Sequence, residues 1–152
     1  MLEEEMSHYL VYWKPDTVAE STSPALRYSA SKQYDKVHPG DVLWIVTSEG
    51  PDDLVLVGRQ KVDHVVGEIA AKAMLGRTNL WPSPWHVITE NPEQKANLDI
   101  SRHAARLSFD GVVSQLPDGF TGQHLQAMRR LDFDSANLLE RLWQLRDQFF
   151  DK

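Results

Sequence analysis

The longest unbroken apolar run is Val42-Leu43-Trp44-Ile45-Val46, and after the polar stretch 48–53 the chain returns as Leu54-Val55-Leu56-Val57-Gly58. Two runs of β-formers separated by turn residues predict an antiparallel hairpin that pairs residues 42–47 with 54–62. Gly58 inside the second run predicts a bulge or sharp bend, with alternation continuing to His64. Just ahead of the hairpin, His38-Pro39-Gly40-Asp41 puts proline and glycine at the central positions of a type II turn. Residues 8–13 alternate loosely and predict a first strand that Pro15 stops. Residues 16–24, rich in Ser, Thr and acidic side chains, predict a loop, followed by a helical turn around residues 29–36 carrying Tyr28 and Tyr34.

Further on, Ile69, Ala73 and Met74 fall at helical spacing and Gly76 sits where a C-cap glycine belongs, which predicts a helix over residues 67–75. Trp81-Pro82-Ser83-Pro84-Trp85 cannot be regular structure with two prolines so close, and it leads into a predicted strand at 86–90. A helical turn over 98–105, a half-buried strand through Leu107 and Phe109, and a helix marked by Leu125 and Met128 follow. Asp134 is the expected N-cap of the last helix, with Phe133 and Leu138 spaced as a hydrophobic staple. Its apolar stripe is Leu138, Leu139, Leu142, Leu145 and Phe149, while Asn137, Arg141, Gln144, Asp147 and Gln148 face away. Trp44 and Trp143, on an apolar strand and on this helix, belong to the core. Strands and helices mix along the chain, so the expected class is α+β with a curved sheet, one domain over residues 1–152.

Composition narrows the chemistry. The net charge of −6 argues against strong nonspecific attraction to phosphate backbones, so a nucleic-acid role has to be local. With no cysteine there are no disulfides, thiolate metal sites or thiol nucleophiles. The six histidines lack the spacing of a zinc helix, and Asp52-Asp53 and Asp132-Phe133-Asp134 read as turn and helix-cap residues. No phosphate-binding glycine loop, nucleophile elbow or dinucleotide fingerprint occurs, so no catalytic residue, metal or cofactor is expected. No apolar run is long enough for a membrane span, and the opening Met1-Leu2-Glu3-Glu4-Glu5 is acidic where a leader is basic, which places the chain in the cytoplasm as an expectation.

Tyr12 and Trp13 on the first strand, the Ser-rich turn, the Val37-to-Val46 segment with its Pro-Gly-Asp turn, and Leu56-Val57-Gly58-Arg59-Gln60-Lys61-Val62 together resemble the EVE-type members of the PUA-like superfamily, relatives of the YTH readers. The resemblance spans roughly the first ninety residues. It implies a PUA-like curved mixed β-barrel with flanking helices, the C-terminal amphipathic helix among them, and an aromatic pocket for a flipped, often methylated base. The segments Tyr28-Ser29-Ala30-Ser31 and Trp81 to Trp85 stand in places similar to those that build the pocket in YTH-like relatives. The expected base-binding set is therefore Tyr28, Ser29, Ser31, Trp81 and Trp85, supported by Trp13 and Gln33, with Arg27, Lys32, Arg59 and Lys61 contacting phosphates around it.

Aromatic rings suit this task because each stacks a base for about 1–3 kcal/mol while polar groups read its edge. Core packing explains Trp81 and Trp85 equally well at this stage. The implied partner is modified DNA or RNA, with a nuclease or other effector protein in association, since EVE-like domains often accompany restriction nucleases. Two other classes remain open: an amidohydrolase resembling the ASCH branch of the same superfamily, and a protein-interaction module using the last helix.

Overall fold

In chain order the elements are β1 (His8–Tyr12), α1 (Pro15–Glu20), β2 (Tyr28–Ala30), β3 (Val42–Thr47), β4 (Val55–Lys61), β5 (His64–Val66), α2 (Glu68–Leu75), β6 (His86–Ile88), β7 (Leu98–Asp99), α3 (Gly122–Leu125), β8 (Arg129–Arg130) and α4 (Phe133–Gln144), with 3₁₀ turns at Lys32–Lys36 and Ser101–Arg106. They are seen in a computed structural model that describes residues 6–110 and 115–146; the acidic opening and Asp147, Gln148 and Phe149 lie outside the described residues.

The strands form an α+β fold with two sheets, one ordered β7-β4-β3-β1-β8 and the other β2-β6-β5. The predicted hairpin is present: β3 and β4 pair antiparallel from Val42 opposite Lys61 to Thr47 opposite Val55. Its register slips where Ile45 faces Gly58 and Val46 faces Leu56, which is the bulge expected at the glycine. A Cβ on Gly58 would lie 2.6 Å from Leu26 Cδ2, so a side chain at this bend would force the buried Leu26 side chain to move. Because β1 joins β3 in parallel, His8 opposite Val42, the larger sheet is mixed. The turn before β3 also forms as read, with Gly40 at φ 99° and the Asp41 N–H donating to the His38 carbonyl at 3.0 Å.

Every residue of β3 is buried, which is why its sequence is a continuous apolar run and not an alternation. Val42, Trp44 and Val46 face Leu138, Leu139 and Trp143 of α4. Leu43 and Ile45 face the other way, into a second cluster with Tyr34 and with Val87 of the smaller sheet. Helix α4 and the three-stranded sheet therefore cover opposite faces of the larger sheet.

Among the described residues the sheets do not close into one barrel. The chain leaves the larger sheet at Lys61 and enters the smaller at His64, and side chains bridge the seam. The Gln60 amide donates to the carbonyls of Arg27 (3.3 Å) and Val87 (3.2 Å), and the Thr89 hydroxyl donates to the Lys61 carbonyl at 2.6 Å.

Several local expectations are corrected. Residues 16–24 are not all loop: Pro15, which ends β1, is also the first residue of α1, where a missing N–H costs nothing, and Asp16 favours the helix N-terminus. The helical turn expected at 29–36 is strand β2 followed by a 3₁₀ turn, with the Ser31 hydroxyl accepting from the Gln33 N–H. The turn at 98–105 is divided between β7 and a 3₁₀ turn. The strand expected through Leu107 and Phe109 is one isolated bridge, Phe109 to Leu131, and the helix read through Met128 ends at Leu125. Asp132, not Asp134, caps α4 by accepting from the Ser135 N–H at 2.9 Å. Phe133 is 78% exposed, so no staple forms, and Leu145 too is exposed. Helix α2 ends on Gly76 as expected, yet it packs through Ala71 and leaves Ile69 88% exposed. No described helix is long and apolar enough to cross a membrane.

Candidate functional site

Three aromatic rings are piled where β2 and β6 lie side by side. The antiparallel register sets Ala30 opposite His86 and Tyr28 opposite Ile88. The Tyr28 ring then stacks on His86, centroids 5.6 Å apart and 10° between planes, and on Trp81 at 5.5 Å and 18°. Trp13, at the end of β1, meets Trp81 edge-on at 5.5 Å and 75°.

Hydrogen bonds fix the order of the pile. His86 Nε2 stands 2.9 Å from the Ser83 carbonyl, which can only accept, so in the neutral ring Nε2 carries the hydrogen and Nδ1 accepts the Tyr28 hydroxyl proton at 2.9 Å. Burial pushes the Tyr28 hydroxyl pKa up, partly opposed by a hydrogen bond from the Trp81 main chain and by the Arg77 charge. The phenol stays protonated and keeps donating. Pro82 and Pro84 restrict the backbone on either side of Ser83, so the loop that carries Trp81 is anchored both covalently and through His86.

Trp81 is half-buried and walls two neighbouring clefts. The smaller, about 390 Å³, is lined by Tyr12, Trp13, Ala30 and Trp81, with Lys14, Thr17 and Gln126 as its polar groups. The larger, about 570 Å³, is lined among others by Arg27, Tyr28, Arg77, Asn79 and Trp81 together with Glu20 and Ser21. Gln33 positions the Gln126 segment: its Nε2 donates to the Gln126 carbonyl at 3.0 Å and its Oε1 accepts from the Met128 N–H at 2.7 Å. Gly122 of α3 lies against Tyr12 so closely that a Cβ there would be 2.3 Å from the phenolic oxygen.

Of the residues expected from sequence, the structure brings Trp13, Tyr28 and Trp81 together, while Gln33 bonds the Gln126 and Met128 main chain and Ser31 bonds Gln33 and the Trp85 carbonyl. Ser29 goes elsewhere. It is 0% exposed, donates to Gln60 Oε1 at 2.6 Å and, with its own hydrogen so used, accepts from the Tyr34 hydroxyl at 2.9 Å. Trp85 is 37% exposed and lines neither cleft; its carbonyl accepts from the Ser31 N–H. Arg27 lines the larger cleft, whereas Lys32 and Lys61 are exposed outside both. Arg59 is held by Glu140 and Glu93, each at 2.8 Å, and lies over Trp44, so its charge is already matched.

Sequence reasoning missed Tyr12, Lys14, Thr17, Ala30 and Gln126 as lining residues of the smaller cleft and Arg77 and Asn79 as lining residues of the larger. Reading Pro15 as a helix start would have put Thr17 one turn into a helix next to Trp13. Nothing local marks Gln126, whose carbonyl is held by the distant Gln33 side chain. No family model and no curated protein matches the chain.

Proposed function

We propose that this chain is a PUA-like nucleic-acid-binding module that seats one flipped, modified base in the cleft of Tyr12, Trp13 and Trp81 and performs no chemistry on it. The carrying observation is the fixed Trp81 indole, stacked on Tyr28 and walling an open cleft beside Trp13. A base needs a flat apolar surface that does not have to reorganise, and a ring anchored through the Tyr28-His86-Ser83 chain supplies one. Lys14, Thr17 and Gln126 offer donors and acceptors of the kind that read a base edge, and Ala30 with the rings offers apolar contact for a methyl group. A mixed sheet whose fourth strand runs on into a second, smaller sheet is in keeping with a PUA-like architecture.

The hydrolase reading has one observation in its favour. Lys95 Nζ, whose pKa burial lowers, donates to the Ser21 hydroxyl at 2.9 Å beside the larger cleft. The same ammonium also donates to the Ser21 carbonyl at the C-terminus of α1, where a cation stabilises the helix end, so a capping role accounts for it.

Titrating methylated and unmethylated nucleosides and short single strands against tryptophan fluorescence tests the proposal. A modified base is expected to quench the emission saturably and to bind at least tenfold more tightly than its unmodified parent. Equal affinity for all bases, or no saturable response to any, overturns it.

A further inference from the structure

We propose that the larger cleft, which shares Trp81 with the base pocket, is a phosphate subsite that takes the backbone phosphate adjoining the seated base, with Arg27 and Arg77 as its cations. This rests on the base-seating reading above and extends it to the flanking backbone. Arg59 and Arg146 pair with Glu93, Arg59 also with Glu140, Arg130 with Asp110, and Lys72 with Glu68. Among the described residues no carboxylate stands within ion-pair distance of Arg27 or Arg77, although both line one cleft of a chain whose net charge is −6.

Arg77 follows the left-handed Gly76 cap of α2, and its guanidinium lies over the Tyr28 ring at 5.4 Å. A guanidinium over a ring face keeps N–H donors available to oxygens of one phosphate. Arg27 immediately precedes β2, and its carbonyl accepts from the Thr89 N–H at 2.8 Å and from the Gln60 amide, so its backbone is pinned to both sheets. Asn79 adds a neutral donor. Glu20 is the carboxylate in the lining and lies with Ser21 at the end of α1; Lys95 offsets the negative helix end there.

The Tyr28 ring contacts both Trp81 and Arg77, so the base pocket and the phosphate cleft share a rigid wall. A flipped nucleotide leaves its phosphate just outside the base pocket, and a pair of unmatched arginines there secures the extruded backbone without the broad basic surface that this acidic chain lacks.

The test follows side-chain Nε–H signals of Arg27 and Arg77 and indole signals of Trp13 and Trp81 by NMR, using three probes: inorganic phosphate, a methylated nucleoside, and a trinucleotide carrying that base at its centre. The nucleoside is expected to move the indoles alone, and the trinucleotide to move indoles and arginines together. Arg27→Gln and Arg77→Gln should each lower trinucleotide affinity about tenfold and reduce its salt slope by about one, leaving nucleoside affinity unchanged; Arg77→Lys should restore part of the loss. Arginine signals that ignore the trinucleotide, variants that keep full affinity, or tighter capture of a Glu-rich peptide than of the trinucleotide overturn the subsite. Arginines that respond to the trinucleotide while the indoles ignore every probe uphold the subsite and overturn base seating. Arginine shifts as large with inorganic phosphate alone, at equal concentration, identify an anion site with no tie to nucleic acid and overturn the proposal.

Discussion

The Trp81 indole lies nearly parallel to the Tyr28 phenol, 5.5 Å between centroids and 18° between planes, while its edge meets Trp13. Trp81 is thus supported from within and half-open on the outside, and Trp13 is buried at 6% exposure. The two tryptophans should respond differently to truncation.

Trp81→Ala is expected to weaken binding of the preferred base by about 1–3 kcal/mol through lost stacking. Its cost in stability should be smaller than that of Trp13→Ala, which empties a packed site and should cost about 3–5 kcal/mol. Trp85→Ala, at an exposed position outside both clefts, should change neither. Denaturant melts run beside binding titrations check all three; a Trp81→Ala protein that melts as low as Trp13→Ala makes Trp81 a core residue.

Gly122→Ala should impair binding from outside the cleft. The added Cβ would stand 2.3 Å from the Tyr12 oxygen and 2.7 Å from its Cζ, so the ring must shift, and Tyr12 lines the base cleft. Overpacking of this kind costs about 1–3 kcal/mol of stability. Gly67→Ala is the control, because nothing lies within 4 Å of a Cβ there. Base affinity should fall in the first variant and hold in the second; unchanged affinity in both means that Tyr12 is not part of the binding surface.

What could be read in advance followed from local chemistry. The β3–β4 hairpin, the Gly58 bulge, the Pro39-Gly40 turn and the Gly76 cap each depend on a few adjacent residues whose conformational limits are strong, and each is present. Ser29 and Arg59 show where local reading ends. A serine beside a tyrosine is equally compatible with lining a pocket or crossing a sheet seam, and only the fold delivers Gln60, 31 positions away, to its hydroxyl. Arg59 loses its free charge to Glu140 from 81 positions away. The cleft residues Thr17 and Gln126 were hidden for different reasons: the first by mistaking a helix-starting proline for a strand stop alone, the second because long-range contacts place it, among them the Gln33 hydrogen bond and the buried neighbours Leu125 and Met128.

Ser29→Ala should destabilise the fold without altering the base cleft. Removing the hydroxyl leaves Gln60 Oε1 and the Tyr34 hydroxyl, both buried, without a shared partner, and such losses cost about 1–3 kcal/mol. Tyr34→Phe in the same background should add less than it does alone, since the hydrogen bond it removes is already gone. A double-mutant cycle by chemical denaturation measures this coupling, and additive effects would show that the three side chains do not act as one network.

Stability should fall as the solution is acidified below neutrality, with His8 as one cause. Its Nδ1 accepts the Trp44 indole N–H at 3.1 Å, so the folded state favours the uncharged ring there. Burial lowers the His8 pKa below its ordinary value of about 6.5, Arg59 acts in the same direction, and Glu140 and Asp41 oppose it. As pH falls through the unfolded value near 6.5, the unfolded chain takes up a proton that the folded chain does not, so the contribution is fully present above that value and declines as pH falls towards the lowered folded pKa. His103, lowered by burial and by Arg106 and Arg102, adds a slope of the same sign. His8→Asn keeps an acceptor for Trp44 and removes the titration, so its loss of stability between pH 7.5 and about pH 5.5 should be smaller than that of the wild type but not zero. Urea midpoints at the two pH values decide it: identical pH dependence in the two proteins would show that His8 is not a source of the acid sensitivity, and a steeper dependence in His8→Asn would reverse the sign argued for its burial.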